Sequence, residues 1–109
     1  MSEYRVSVTE RAARQLNTTA DWVAERAPET AEKWFASFVD KVNSLSTHPH
    51  RCPLARESKR MPIELRQLLV GRKHQWRVLF TIQGHDVVVM AIRHSSQDDL
   101  TVEDLLPFV

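Results

Sequence analysis

The sequence predicts an α+β fold in which the elements follow the order β-α-α-β-β-β, with a helical hairpin packed on one face of an antiparallel sheet. Two observations predict it. Apolar residues recur at helical spacing in the first half of the chain, and short apolar runs typical of strands follow in the second half. The length of 109 residues is that of one domain, so residues 1–109 are predicted to form a single unit.

The first strand and both helices are predicted before residue 50. Residues 4–8 alternate apolar and polar side chains and predict a short strand, and Thr9 is placed to cap the helix that follows. An apolar stripe predicts a first helix over roughly 10–26; it consists of Ala13, Leu16, Ala20, Val23 and Ala27. Pro28 is predicted to be the first residue of a second helix, which ends at His48-Pro49. The helices should pack as an antiparallel hairpin.

Three more strands are predicted after a proline-rich loop over 48–63. They span 65–70, 76–82 and 87–92, and the last is apolar on both faces, as expected of a central strand. Two hairpins should join them, and a helical turn is predicted between Asp98 and Leu106. The helices would then cover one face of the sheet and leave the other face open.

Composition limits the class of protein. No stretch approaches the roughly 20 apolar residues of a membrane-spanning helix, and the N-terminus lacks a secretory signal, so a cytoplasmic protein is predicted. Cys52 is the only cysteine, which excludes an internal disulfide. Neither a cofactor nor a metal site is predicted. Residues 51–77 contain eight Lys/Arg and two acids, a net charge of +6, although the whole chain has only +1. This segment is either a surface for phosphates or acidic partners, or a solvated loop.

Several stretches resemble the RelE/ParE toxin family of type II toxin–antitoxin systems. They are Thr9–Leu16, Ala27-Pro28-Glu29, Leu65–Gly71 with Trp76–Phe80, and Val88–His94. The resemblance covers roughly residues 3–100, and the long, tryptophan-bearing helical hairpin places the chain closer to the ParE-like branch. It implies a growth-inhibiting toxin, of the kind that serves in plasmid stabilisation, bound by a cognate antitoxin in a hetero-oligomer. The antitoxin is expected to cover the open sheet face and the helical hairpin.

The resemblance leaves three functions open. A ParE-like toxin poisons DNA gyrase, and this is the function we favour. A RelE-like toxin cuts messenger RNA at the ribosome without a metal ion, and this would be the activity if the chain is an enzyme. The third possibility is a non-toxic, degenerate binding module. Fold alone does not separate these functions, so the separation depends on individual residues.

Cleavage of RNA requires a base, an acid and cations that stabilise the charged phosphorane. The candidates for a nuclease are His94 as acid, Glu57 as base, and Arg66 with Arg77 as the stabilising cations. The alternatives are structural: His94 could cap a strand end, and the two arginines could pair with carboxylates. If the toxin acts by binding, the residues expected to contact its target are Lys59, Arg60, Arg72, Lys73 and Arg93.

Overall fold

A computed structural model describes residues 3–105, which form two helices and a four-stranded sheet. The elements are β1 (Arg5–Val8), α1 (Glu10–Arg26), α2 (Ala31–Asn43), β2 (Arg66–Val70), β3 (Trp76–Gln83) and β4 (Asp86–His94). Short 3₁₀ turns interrupt the loop between α2 and β2, and another lies near the C-terminus at Val102–Leu105. The α+β class and the predicted element order are confirmed. The described residues end at 105, so the end of the predicted turn at Leu106 lies outside them.

The helix boundaries follow from local capping. The hydroxyl of Thr9 accepts the Ala12 N–H at 3.1 Å, which fixes the start of α1 where the sequence predicts it. The prediction for Pro28 is wrong, because α2 begins at Ala31. A tight turn separates the helices instead, closed by the Thr30 N–H donating to the Ala27 carbonyl at 3.1 Å. The second helix also ends earlier than predicted, at Asn43, and continues as a 3₁₀ turn over Ser44–Ser46.

The sheet has the strand order β1-β4-β3-β2. The strands β2, β3 and β4 pair antiparallel through the two predicted hairpins. The remaining pair corrects the prediction of an antiparallel sheet: β1 runs parallel to β4, with Val6 opposite Val87, so the sheet is mixed. A long crossover permits a parallel pair, and here the chain between β1 and β4 includes both helices. The strand β4 lies in the interior of the sheet, as its two apolar faces predict.

One face of the sheet packs against the helices. The buried side chains of this helix face include Val78 and Phe80 of β3, which meet Phe38 and Val42 of α2. Burial of this apolar surface is the main stabilising contribution available to the fold. The same alternation sends Arg77, Leu79 and Thr81 to the other side of β3, as the sequence predicts.

The second face of the sheet is not open, contrary to the expectation from sequence. A second apolar cluster covers it; it consists of Ala55, Leu65, Leu79, Met90, Ala91, Leu100 and Leu105. A register shift opposite Leu79 and Phe80 turns both Met90 and Ala91 of β4 toward this cluster. The chain therefore covers its own second face, with the loop before β2 and the segment after β4.

Candidate functional site

A buried ion pair lies on the second face, near the end of the sheet where β3 begins and β4 ends. The guanidinium of Arg77 donates two hydrogen bonds to the carboxylate of Glu57, at 2.8 Å and 2.6 Å. The exposed fraction of Arg77 is 3%, and that of Glu57 is 0%. Two parallel hydrogen bonds between a guanidinium and a carboxylate form one of the strongest side-chain interactions. Because both groups are buried, removing either one would leave the charge of the other desolvated and unpaired.

The pair is completed by groups from two other segments. The side-chain oxygen of Gln67 on β2 accepts two further hydrogen bonds from Arg77, at 3.0 Å and 2.9 Å, and the Leu100 N–H donates to Glu57 at 3.2 Å. Burial alone raises the pKa of Glu57, but the hydrogen bonds from Arg77 and Leu100 outweigh it and lower the pKa to about 2. The carboxylate is therefore ionised at neutral pH. It joins the turn over Arg56–Arg60 and the segment around Leu100 to strand β3 of the sheet.

His94, the last residue of β4, lies opposite Trp76 and so on the helix face. Its ring stands edge-on to the Trp76 indole, with centroids 4.8 Å apart and planes at 88°. The Ser96 N–H donates to Nδ1 at 3.1 Å, and the Ser96 hydroxyl lies 2.8 Å from the same atom. Because a backbone N–H can only donate, Nδ1 is the acceptor and the neutral ring has its proton on Nε2.

The four nuclease candidates do not converge. Arg77 lies opposite Arg93 on the second face, whereas His94 is on the helix face of the sheet. Arg66 shares the helix face with His94, but the two residues are far apart on it. They are separated by four residues along the strand direction, roughly 13 Å, and by two strand spacings across the sheet, roughly 10 Å. The Arg66 guanidinium donates to the Cys52 carbonyl at 2.6 Å and so holds the loop before β2. Of the four, the structure brings together only Arg77 and Glu57.

The five basic residues proposed to contact a target lie toward one end of the sheet. Lys59 and Arg60 are exposed on the turn that carries Glu57, while Arg72 and Lys73 are exposed in the loop between β2 and β3. Arg93 is half-buried and donates to the Asp98 carbonyl at 2.6 Å. Its Nε is buried without a hydrogen-bond partner among residues 3–105.

The loop between β2 and β3 is strained and clamped. Lys73 and His74 both have left-handed backbone conformations, with φ of 55° and 54°. Residues other than glycine adopt this conformation at a cost in free energy. The hydroxyl of Ser95 donates to the His74 carbonyl at 2.6 Å, and the Ser95 N–H donates to the Gln75 carbonyl at 2.8 Å. These two bonds attach the cationic loop to the end of β4.

Two adjoining cavities form a groove between α1 and the end of β4, which we call the α1 groove. The first is an open depression of about 510 Å³ beside Arg11 and Arg14, and the second is an open depression of about 400 Å³ beside Trp22, Trp76 and His94. The cavities are neighbours, since three residues line both of them: Thr18, Thr19 and Gln97. Trp22 is 50% exposed, as its position beside the apolar stripe suggests.

Within residues 3–105, no group of three or more His, Cys, Asp and Glu side chains could hold a metal ion, and this applies to His48, His50 and Cys52 as well. No helix within the same range is long and apolar enough to cross a membrane.

Comparison with known proteins identifies the family. The family model described as "ParE toxin of type II toxin-antitoxin system, parDE" matches residues 6–99, most of the chain. The chain belongs to the ParE toxin family. This confirms the resemblance to the RelE/ParE toxins, and in particular to the ParE-like branch. The protein is therefore a ParE-type toxin of a toxin–antitoxin system.

Two solved structures are similar to this ParE-family toxin. A chain of the chromosomal ParDE toxin–antitoxin system from P. aeruginosa aligns with a TM-score of 0.69 and 22% identity, covering 86% of this chain and 98% of that one. A chain of the RelBE2 toxin–antitoxin complex from Mycobacterium tuberculosis aligns with a TM-score of 0.50 and 23% identity, covering 84% and 98%. At these identities the likeness shows the fold. No curated protein matches the chain.

Sequence reasoning missed Gln67, which accepts two hydrogen bonds from Arg77, and the Thr18–Thr19 pair, which lines the α1 groove. A signal for the buried network was available. Arg77 stands among the apolar residues Trp76 and Val78–Phe80 of its strand, and the apolar residues Leu65, Leu100 and Leu105 lie outside the helix-face pattern. Together they indicate a second core with a charge inside it. No comparable signal in the sequence marks the α1 groove.

Proposed function

We propose that this ParE-family toxin arrests bacterial growth in the cytoplasm by binding and poisoning DNA gyrase, within a plasmid stabilisation system. The observation that carries the proposal is the separation of His94 from Arg77 and Glu57 on opposite faces of the sheet. RNA cleavage depends on an acid, a base and cations that surround one phosphate. Because the sheet separates these residues, they are poorly placed to cleave RNA together. This favours a toxin that acts by binding its target.

The protonation state of Glu57 gives further support. A general base works best when its pKa is near the operating pH, whereas the pKa of Glu57 is about 2. Its oxygens also accept hydrogen bonds from Arg77 and Leu100 inside the protein. Glu57 is therefore suited to stabilising the fold, and the same holds for its partner Arg77.

The surface proposed to bind the target is the exposed cationic end of the sheet. Arg72 and Lys73 form no ion pair with any residue between 3 and 105, and Ser95 fixes the loop that carries them. A rigid group of unpaired cations lowers the entropic cost of binding and steers an anionic partner. This surface suits an acidic protein surface or DNA held by an enzyme.

The test is inducible expression of the wild type and of His94→Ala in a bacterial host, with transcripts and DNA damage scored together. Gyrase poisoning predicts arrest, an SOS response, intact transcripts and full toxicity of His94→Ala. Transcripts cut at codon boundaries in the wild type, with activity lost by about 100-fold or more in His94→Ala, would identify an RNA-cleaving toxin instead. Absence of arrest at good expression would leave a non-toxic binding module.

A second pair of variants tests the surface. Arg72→Ala/Lys73→Ala should lower toxicity, because it removes two exposed cations from the target-binding end. The matched control is Lys33→Ala/Lys41→Ala, which removes the same charge from exposed positions on α2. Equal toxicity of both double variants would exclude the loop as a target-binding element.

A further inference from the structure

We propose that the cationic end of the sheet binds the phosphate backbone of duplex DNA, with Lys59, Arg72, Lys73 and Arg93 as the contacts. The inference rests on the proposed function, because it takes these residues as the surface that meets the target. It goes beyond that function by choosing DNA over an acidic protein surface as the partner of this end. The contact is expected to be independent of base sequence, since phosphates carry no sequence information directly.

Three segments that are far apart in the chain meet at the cationic end. They are the turn over Arg56–Arg60, the loop between β2 and β3, and the last residues of β4. Arg77, the second residue of β3, connects them, because it lies opposite Arg93 on β4 and binds Glu57 of the turn. The loop between β2 and β3 leads directly into β3. Cations from all three segments are therefore brought to the same end of the sheet.

The three segments contain more cations than acids. Residues 56–60, 71–75 and 93–99 include six Lys/Arg and three acids, a net charge of +3. Two of the acids, Glu57 and Asp99, already form ion pairs with arginines of the protein, and the third is exposed. This end therefore has an excess of positive charge that attracts an anionic partner.

Four of the cations form no ion pair within the part of the chain that the structure describes; they are Lys59, Arg72, Lys73 and Arg93. The first three are exposed, whereas Arg93 is half-buried and its buried Nε has no hydrogen-bond partner among residues 3–105. A partly desolvated guanidinium is costly unless an anion compensates its charge. A phosphate bound at this end would lower that cost.

The exposed side chains beside these cations are polar. Over residues 71–75 and 95–98 they supply hydroxyl, amide, imidazole and cationic groups, together with one carboxylate. Cationic, hydroxyl and amide side chains are the groups that contact DNA phosphates. Protein interfaces depend on a desolvated centre of aromatic or apolar side chains, and no large apolar side chain is exposed within these two ranges. The chemistry of this end therefore matches DNA better than an acidic protein.

The cations are held in place before a partner arrives. Two hydrogen bonds from Ser95 fix the loop between β2 and β3, and the pair of Glu57 with Arg77 fixes the turn that carries Lys59. The strands β2 and β4 are two strand spacings apart, roughly 10 Å. Duplex DNA has one charge per about 1.7 Å of its axis, so several phosphates of one duplex lie within such a span. One duplex can therefore contact all three segments.

The experiment measures binding of DNA directly. The toxin is purified with the antitoxin encoded beside its gene, separated from it, and titrated into a labelled DNA duplex of mixed sequence. Fluorescence anisotropy gives the Kd at salt concentrations between about 50 and 200 mM. Four phosphate contacts predict a slope of about 3.6 in log Kd against log salt concentration, so the Kd should rise about 150-fold over this range.

Variants assign this slope to individual residues. Arg72→Ala/Lys73→Ala should lower the slope by about 2, Lys59→Ala by about 1, and the triple variant by about 3, because each substitution removes one phosphate contact. The matched control, Lys33→Ala/Lys41→Ala, removes two exposed lysines of α2 and should change the slope by less than about 0.5. Circular dichroism checks that every variant keeps the wild-type melting temperature. Additive losses would support contact of the loop and the turn with the same duplex.

DNA binding and toxicity are scored separately. An equal slope for the wild type and for Arg72→Ala/Lys73→Ala would overturn the proposal, because these cations would then not contact DNA. No binding of the duplex even at about 50 mM salt, by a toxin that still causes arrest and an SOS response, would overturn it and leave the proposed function intact. Tighter binding of a single-stranded RNA of the same length would overturn the choice of duplex DNA. A toxin that binds the duplex as expected but causes no SOS response would support the DNA site and refute gyrase poisoning.

An acidic protein surface is the alternative partner, and Leu69 distinguishes it from DNA. Leu69 lies opposite Arg77 on the second face and is 36% exposed, so a protein partner at this end would bury it. If DNA is the ligand, Leu69→Ala should change the Kd for the duplex by less than about twofold. Loss of binding to DNA-free gyrase in both Leu69→Ala and Arg72→Ala/Lys73→Ala, by a toxin that does not bind the duplex, would assign this end to a protein instead.

Discussion

Replacing Arg77 by methionine leaves the Glu57 carboxylate buried without its cation. Methionine approximates the length of the arginine stem but supplies none of the four hydrogen bonds that Arg77 donates to Glu57 and Gln67. Breaking a buried ion pair from one side costs about 3–5 kcal/mol, since the remaining charge stays desolvated. For 109 residues, a loss of about 4 kcal/mol lowers the melting temperature by about 17 °C.

Urea unfolding followed by circular dichroism measures this loss, and two further variants locate its cause. Glu57→Gln/Arg77→Met removes both charges while the glutamine can still accept the Leu100 N–H, so it should lose only about 1–2 kcal/mol. Arg60→Met breaks an exposed pair with Asp99, 3.8 Å apart, and should cost less than about 1 kcal/mol. If Arg77→Met is no less stable than Arg60→Met, the ion pair does not hold the second face together.

Three further predictions concern acid, helix capping and the thiol. Glu57 has a pKa of about 2, below its ordinary 4.5, so its contribution of roughly 3 kcal/mol is complete above pH 4.5 and disappears as the pH falls through 2. Urea unfolding of Glu57→Gln at pH 7 and pH 2.5 should therefore show a smaller dependence on pH than the wild type; an equal dependence would contradict the low pKa. Thr9→Ala should destabilise the protein by about 1 kcal/mol in the same assay, since the Ala12 N–H loses its cap, with exposed Thr47→Ala as the comparison. Burial raises the pKa of the Cys52 thiol, so a thiol reagent should modify it slowly in the folded protein and rapidly in urea; fast modification of the folded form would show that the thiol is accessible.

The elements that could be predicted from the sequence are those determined by local pattern. The stripe of α1 and the doubly apolar strand β4 are confirmed because one helix or one strand generates each pattern by itself. Pro28 misled the prediction because it is compatible with a helix start and equally with the turn that Thr30 closes. The direction of β1 relative to β4 depends on the whole intervening crossover, so no local pattern contains it.

The candidate site was less predictable for a physical reason. Glu57 stands among Arg56, Lys59 and Arg60, a run of charges that normally belongs to a solvated surface. Its burial depends on Arg77, twenty residues away, and on the covering segment around Leu100. Which face of the sheet each candidate occupies also depends on strand register. His94 and Arg77 are both close to strand ends in the sequence, and only the register separates them.

The pairing of β1 with β4 has a consequence for how the toxin is made. Arg5 and Asp86, which lie opposite each other in this parallel pair, are 81 residues apart in the chain. The two hairpins from β2 to β4 connect near neighbours and can form early, whereas contacts between distant segments form slowly, because a long loop must close first. During synthesis β1 emerges before the other three strands and yet has no strand beside it until β4 has been added. The β1 edge is therefore the last part of the sheet to close, and the sheet of a growing chain stays incomplete until β4 has been made.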